Sequence, residues 1–293
     1  MAMSAPAWTA DLAAAARQLV GAALAEDHAA EDVTTRVSIA AHTTCRAAIN
    51  ARQALVLAGM PLVPLALHAV DAAVQCDLLQ QDGAQVAAGT PVARMRGAAH
   101  AVLAVERTLL NLLQRLCGVA TLTRAFVDAV AGTACAIVDT RKTTPGLRLL
   151  EKYAVRCGGG QNHRMHLGDM IMLKDNHWQL TSMDARTLVA HARQACPQVP
   201  IAAEAEDVAG ARALLDAGVD LIMLDNMAPA AMREVALFCK GRVPTEATGG
   251  VTLANVRAVA QSGVDRISIG ALTHSAPAVD IALDVIAATD GGR

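Results

Sequence analysis

This sequence predicts an incomplete α/β barrel following a smaller mixed α/β domain, and three observations support that prediction. The first is a set of six short apolar runs from residue 136 onward, each stopping on polar or glycine residues. They are Ile137-Val138 to Asp139, Met170 to Lys174, Ile201 to Glu204, Leu221 to Asp225, Val243 to Glu246, and Arg266 to Gly270. The second is spacing. The last four end markers fall at 204, 225, 246 and 268, which leaves room for a strand, a loop and a helix of about ten to twelve residues. The third is what lies between: helical segments Asp207 to Ala217, Met227 to Cys239 and Thr252 to Gln261 close on Gly218, Gly241 and Gly263. Repeated βα units imply parallel strands with right-handed crossovers. Six units fall short of a full barrel's eight, hence an incomplete one. A doubly wound sheet is the alternative, but polar residues at all six run ends favour closure, because an α/β barrel gathers its active site at the carboxyl ends of its strands.

The first domain is expected over residues 1–110, with the C-terminal 276–293 packing with it, and the barrel over 111–275. A helix over Thr9 to Ala25 follows from Leu12, Ala16, Leu19, Val20 and Leu24 at helical spacing. Cys45 to Asn50 and Leu55 to Gly59 suggest strands, and Pro61 to Ala73 a helix with proline in its first turn. Turn signals at Gln81-Asp82-Gly83 and Ala88-Gly89-Thr90-Pro91 suggest small antiparallel hairpins around Cys76 to Leu79, Gln85-Val86 and Val92 to Met95. Two helices are expected next, His100 to Arg115 and Thr121 to Val130.

Composition excludes several functions. Net charge is −2, no Lys/Arg-rich tail is present, and 2 Trp, 1 Tyr and 2 Phe cannot furnish a stacking platform for nucleic acid. No run reaches the roughly 18 apolar residues of a spanning helix, so no membrane is expected. Met1 to Leu24 reads as an amphipathic helix rather than a signal peptide. Seven scattered cysteines without a CxxC fit a reduced, cytoplasmic setting and argue against a zinc site.

The chemistry sits at the strand ends. Arg141, Lys142, His163, Arg164 and Lys174 can form a cationic pocket, with guanidinium groups suited to bidentate carboxylate or phosphate binding. Glu204 and Asp225 supply two carboxylates from neighbouring strands, a set suited to Mg²⁺ that also keeps water and phosphate ligands. Thr248-Gly249-Gly250 and Ser268-Ile269-Gly270 let backbone N–H groups approach a phosphate. Taken singly, each element has an ordinary structural explanation: a solvated strand end, a salt bridge, a helix cap or a turn. Cys157 beside a triple glycine invites a nucleophile, but no Cys-His-acid arrangement accompanies it. Convergence at one end of a repeating architecture is what favours a site, and it implies an acidic ligand, a phosphorylated ligand and a divalent metal.

Asp139 to Arg148, Glu151 to Val155, Gly158 to Arg164 and Lys174 to His177 resemble the quinolinate phosphoribosyltransferase family. The resemblance continues in Leu224 to Met227, Gly249 to Val251 and Gly270 to His274, with support from Glu26-Asp27, Asp32 to Thr35 and Glu106 to Asn111. It implies an N-terminal open α/β sandwich packed against the incomplete barrel of a partner in a homodimer, or in a hexamer of dimers. It implies transfer of phosphoribose from 5-phosphoribosyl 1-diphosphate to the nitrogen of quinolinate, followed by loss of CO₂ to give nicotinate mononucleotide. By motif, Arg141, His163, Arg164 and Lys174 would hold quinolinate, and Arg107 would reach into the partner's site. Lys142, Glu204 and Asp225 would handle the diphosphate substrate and its Mg²⁺, and the Thr248-Gly249-Gly250 and Ser268-to-Gly270 loops with His274 would hold the phosphate. Lys142, Lys174, Glu204 and Asp225 would be the catalytic set.

The sequence departs from the family's pattern at four positions. Ala202 stands where an acid is frequent, Thr248 replaces a serine but keeps the hydroxyl, and Gln53-Ala54-Leu55 lacks a glycine. Arg266 stands where an apolar or aromatic residue is usual, and is expected to face away from the site or toward a subunit contact. Competing functions are a molybdenum-transport paralogue of the same fold, a nicotinate-using transferase, and a non-catalytic phosphate-ligand binder. The Arg141, His163, Arg164 and Lys174 set argues for a dicarboxylate over a monocarboxylate, and retention of Lys142, Glu204 and Asp225 argues against a degenerate binder.

Overall fold

The computed structural model of the chain describes residues 5–289. In chain order the first elements are α1 (Ala10–Glu26), α2 (Val33–Ser38), β1 (Thr44–Ala51), β2 (Leu55–Val56) and α3 (Leu62–Val70). They are followed by β3 (Gln75–Leu78), β4 (Gln85–Val86), β5 (Pro91–Ala98) and α4 (Ala99–Ala129). The repeating region holds β6 (Ala136–Val138), α5 (Arg148–Cys157), β7 (Ile171–Leu173), α6 (Asp175–Leu180), α7 (Ala185–Ala195) and β8 (Ile201–Ala205). It continues through α8 (Val208–Ala217), β9 (Leu221–Asp225), α9 (Pro229–Cys239), β10 (Thr245–Thr248), α10 (Val256–Ala260) and β11 (Arg266–Ser268), before α11 (Ala271–His274) and β12 (Ile281–Thr289).

These elements form two compact units. Among the described residues, the first takes the chain up to Arg124, then Thr143–Gly159, then Thr273 onward; the second takes Ala125–Lys142 and Gly160–Leu272. In the first unit an antiparallel sheet runs in the order β12-β1-β5-β3, so the last strand of the chain pairs with the first. The expected chain of hairpins is corrected here. β3 pairs directly with β5, while β4, between them in sequence, leaves the sheet to pair with β2. The two helices expected after residue 99 are one continuous α4 of 31 residues. Gly118 lies within this helix, and a glycine is required there because any side chain would strike the Pro277 carbonyl oxygen, 2.2 Å from an added Cβ. At the start of α1, Thr9 Oγ1 accepts from the Leu12 N–H at 3.3 Å, and Leu12, Ala16 and Val20 form its buried stripe.

The second unit carries six parallel strands in the order β6-β11-β10-β9-β8-β7. Neighbours in space are neighbours in sequence from β7 to β11, and the first strand lies beside the last. That is a barrel order opened between β6 and β7; a doubly wound sheet would reverse direction at a switch point. Register divides the inward side chains into rows. Met172 pairs with Ala202 and Ala202 with Leu221, and together with Met223 and Met170 these make an apolar floor. Ala202 therefore lines hydrophobic packing where an acid would have had no partner.

One row nearer the carboxyl ends, Glu204 pairs with Met223, Met223 with Glu246, and Glu246 with Arg266. The Arg266 expectation is thereby corrected: its Nε lies 2.6 Å from Glu246 Oε2, and the glutamate side chain is fully buried. The sequence marker for this strand also needs correction. Glu246 is not the end of β10 but its second residue, and Thr248 closes the strand. Burial would push the Glu246 carboxyl up, but His163, Arg266 and Ser268 outweigh it and hold the carboxyl below its usual range.

A group lowered in this way stabilises the fold fully above its ordinary value of 4.5, and that contribution is lost as pH falls through the lower folded value. Arg266→Met is therefore expected to cost roughly 2 kcal/mol at neutral pH, below the full cost of breaking a buried pair because the arginine is partly exposed. Urea unfolding should show that deficit shrinking as pH falls below the ordinary glutamate range; a deficit independent of pH would mean the pair contributes nothing.

Candidate active site

The cationic stretch begins where β6 ends. Asp139 is fully buried, and its carboxylate holds the returning chain: Oδ1 accepts from the His163 N–H at 2.8 Å, and Oδ2 from Asn162 Nδ2 at 2.6 Å. Backbone bonds reinforce the join, with Gln161 N–H donating to the Ile137 carbonyl at 2.8 Å and Asp139 N–H to the Gln161 carbonyl at 3.1 Å. Residues 22 positions apart are thus set side by side, Arg141-Lys142 on one strand end and His163-Arg164 on the other segment.

Arg164 sits partly buried, with Nη1 donating to the Met170 carbonyl at 2.8 Å. Burial draws its guanidinium below the ordinary arginine value, and the positive charge of Arg141 draws it further, against partial relief from Asp169 and Glu204. Two guanidinium groups within reach of each other's charge form a site that gains from an anion. Lys142 is exposed beside them, its N–H held by Thr140 Oγ1 at 3.0 Å. Lys174, at the end of β7, forms an ion pair with Glu204 on β8.

His163 takes a different position from the other cations. Its Nδ1 accepts from the Arg164 N–H at 2.7 Å, and its Nε2 lies 3.3 Å from Glu246 Oε2, with only 5% of the side chain exposed. An Nδ1 that accepts leaves the ring proton on Nε2, facing the carboxylate. The histidine therefore ties the Arg164 backbone to the buried Glu246–Arg266 pair. Neither Glu246 nor Arg266 belongs to the sequence-based site set; the signal that could have found them was one residue of each charge at paired positions of adjacent strands.

The outer row holds Asp225, which pairs with Thr248, and Ser268, two residues beyond Arg266. Glu204 and Asp225 face the same side of adjacent strands, one row apart. Among the described residues no group of three His, Cys, Asp or Glu is arranged to hold a metal. Two carboxylates, one of them already engaged by Lys174, fit a hard cation that keeps most of its shell as water and phosphate oxygen, and do not fit a fully protein-bound ion. Glu204 also lines a cavity of ≈ 540 Å³ with Asp175, Trp178, Glu206 and Asp207.

Thr248-Gly249-Gly250 leaves β10 with both glycines at positive φ, 80° and 60°. The loop is tied by Asn255, whose Nδ2 donates to the Gly250 carbonyl at 3.0 Å. The Ser268 hydroxyl is buried beside the Glu246 carboxyl, and Gly270 after it is half-buried. Two residues of the sequence-based set lie in the first unit. Arg107 is exposed on α4, and His274 is exposed with Nδ1 2.6 Å from Ser275 Oγ. Cys157 is buried, and its thiol is pushed far up by burial and by Asp82, which removes it as a nucleophile.

Parallel strands ending in guanidinium groups, a carboxylate pair and a glycine-rich loop define an α/β-barrel protein whose strand ends carry groups suited to anionic ligands. The chain belongs to the quinolinate phosphoribosyl transferase family. That family's N-terminal domain matches residues 32–117 and its C-terminal domain residues 119–284. The chain is 41% identical over 260 residues to the probable nicotinate-nucleotide pyrophosphorylase [carboxylating] of Bacillus subtilis, covering 89% of this chain and 90% of that one. It is 41% identical over 278 residues to the corresponding Mycobacterium leprae protein, covering 92% and 97%. The solved structure of the nicotinate-nucleotide pyrophosphorylase from Francisella tularensis superposes with a TM-score of 0.88 at 32% identity, covering 93% of this chain and 96% of that one.

Loss of the Asp139 carboxylate should unfasten the two cationic segments. Asp139→Ala is expected to lower stability by roughly 3 kcal/mol, since it removes two bonds to a buried charged acceptor. Chemical denaturation measures this, and calorimetric titration should show weaker anion binding in the same variant.

Proposed function

We propose that the chain transfers phosphoribose from 5-phosphoribosyl 1-diphosphate to the ring nitrogen of quinolinate, releasing diphosphate and CO₂ and yielding nicotinate mononucleotide for NAD biosynthesis. The observation that carries this reading is the join at Asp139, whose carboxyl accepts from the His163 N–H and Asn162 Nδ2 and so sets the Arg141-Lys142 and His163-Arg164 segments side by side, a cationic site that a dianion would fill. Quinolinate brings two carboxylates and a ring nitrogen whose lone pair is already nucleophilic, so the protein needs no strong base to activate it. In this reading Arg141 and Arg164 clamp the acid, His163 fixes the Arg164 backbone, and Lys174 passes from Glu204 to the arriving carboxylate.

As the bond to diphosphate lengthens, positive charge develops on the ribose. Glu204 and Asp225 lie on the strand ends where carboxylates can stabilise it, and Lys142 supplies positive charge for the departing group. The glycine loops after β10 and β11 would hold the phosphate through backbone N–H groups, with His274 as a further contact. Mg²⁺ belongs to the reading as an ion held by Asp225 and Glu204, in part through water, which would neutralise charge on the diphosphate.

The assembly in this reading is a homodimer, or a hexamer of dimers, with the partner subunit's Arg107 completing the quinolinate site; the arginine's exposure on α4 supports this. Seven free cysteines support a cytoplasmic setting. No helix among the described residues is long and apolar enough to cross a membrane.

The direct test supplies quinolinate and 5-phosphoribosyl 1-diphosphate, with and without Mg²⁺, and follows nicotinate mononucleotide and CO₂. Turnover of quinolinate but not of nicotinate, dependent on Mg²⁺, is the expected result; equal turnover of nicotinate, or of neither, overturns the reading. Arg164→Ala should raise the Kd for quinolinate by about a hundredfold, the scale of a lost charged hydrogen-bond pair, and leave that for the diphosphate substrate within about threefold. Mixing inactive Arg107→Ala with inactive Lys174→Ala subunits should restore part of the activity. No recovery despite demonstrated subunit exchange would exclude a shared site.

A further inference from the structure

Asn226 follows β9 directly and has φ 53°, one of two described non-glycine residues in the left-handed region. Asparagine tolerates that conformation better than most residues because its short amide can bond locally. Here the local bonds run to both sides. The Asn226 N–H donates to the Thr248 carbonyl at 2.9 Å, and its Nδ2 donates to Asp225 Oδ1 at 3.2 Å. The carboxamide also lies against the α-carbon of Gly249: a Cβ placed there would come within 2.3 Å of Oδ1, 2.5 Å of Cγ and 2.7 Å of Nδ2. Every heavy atom of the amide thus occupies the space that a side chain at position 249 would need. At Gly250 the same Oδ1 is 3.5 Å from an added Cβ, an ordinary contact, so the close fit is specific to Gly249.

We infer that Asn226 is a positioning residue, a wedge whose carboxamide orients the Asp225 carboxylate and fixes the Thr248-Gly249-Gly250 loop against it. The inference rests on the proposed function, in which Asp225 serves the ribosyl group and its ion and the loop holds the phosphate. A single amide thereby sets the spacing between the two ends of one substrate. Quinolinate, held by Arg141 and Arg164, touches neither partner of the wedge. Loss of the amide should accordingly appear in one KM and not in the other. Alanine at 226 removes both contacts and strains the backbone. Glycine removes both and leaves the positive φ unstrained, which separates the amide's role from the backbone's.

The experiment measures both KM values for Asn226→Gly, Asn226→Ala, Gly249→Ala and the double variant Asn226→Gly/Gly249→Ala, with Asp225→Asn in parallel. Asn226→Gly should raise the KM for 5-phosphoribosyl 1-diphosphate by about tenfold, the scale of lost support for a ligand-holding group, with that for quinolinate changed by less than about twofold and the melting temperature nearly unchanged. The double variant should bind the diphosphate substrate better than Gly249→Ala alone, because the clash goes with the amide. Equal rises in both KM values for Asn226→Gly, or losses that multiply in the double variant, overturn the inference. If Asp225→Asn leaves the KM for 5-phosphoribosyl 1-diphosphate unaltered, the fault lies in the underlying assignment of Asp225 and not in the wedge.

Discussion

Two guanidinium groups do not come together unless something holds their backbones in place, and here the buried carboxylate of Asp139 does so. It closes the end of β6 by accepting from the His163 N–H and from Asn162 Nδ2. Arg141 and Arg164 are brought within range of each other's charge as a consequence. An unpaired buried carboxyl would be costly, so the return of the chain at residues 161–163 and the burial of Asp139 depend on each other. In the proposed reading, selection of a doubly charged acid would rest on that mutual dependence.

A second layer of charge lies beneath the first. Glu246 and Arg266 pair across β10 and β11, and His163 joins that pair to the Arg164 segment. The interior of the second unit is therefore divided: methionine, leucine and alanine fill one side, and a compensated charge cluster fills the other. An acid in place of Ala202 would intrude on the apolar side. Arg266, in contrast, has a partner waiting in the adjacent strand, which accounts for a charged residue at an inward position.

The period of two in a strand explains how the ligand groups are sorted. Glu204 falls in the row of Glu246 and Arg266, Asp225 falls one row nearer the open end with Thr248, and the glycine loop begins immediately beyond. Carboxylates that look equivalent in sequence are thus unequal: Glu204 is tied to Lys174, and Asp225 is presented at the rim beside Asn226.

Local pattern was enough to reveal the six strands, their parallel order and the polar residues at their ends, because apolar runs, glycine stops and even spacing report directly on hydrogen bonding and burial along the chain. The family was legible for the same reason, in contiguous motifs around Asp139, His163 and Lys174. What local pattern could not supply was anything set by pairing across distance. The need for glycine at 118 within α4 comes from the close approach of Pro277, and the departure of β4 to β2 depends on which strand edge it meets. Arg266 could be placed only once its register against Glu246 was known, and Asn226 only once Gly249 lay under its amide. Pattern along the chain was sufficient to say which chemical groups gather at one end of a barrel; which of them face each other emerged only on folding, because register and backbone contact are properties of two segments at once.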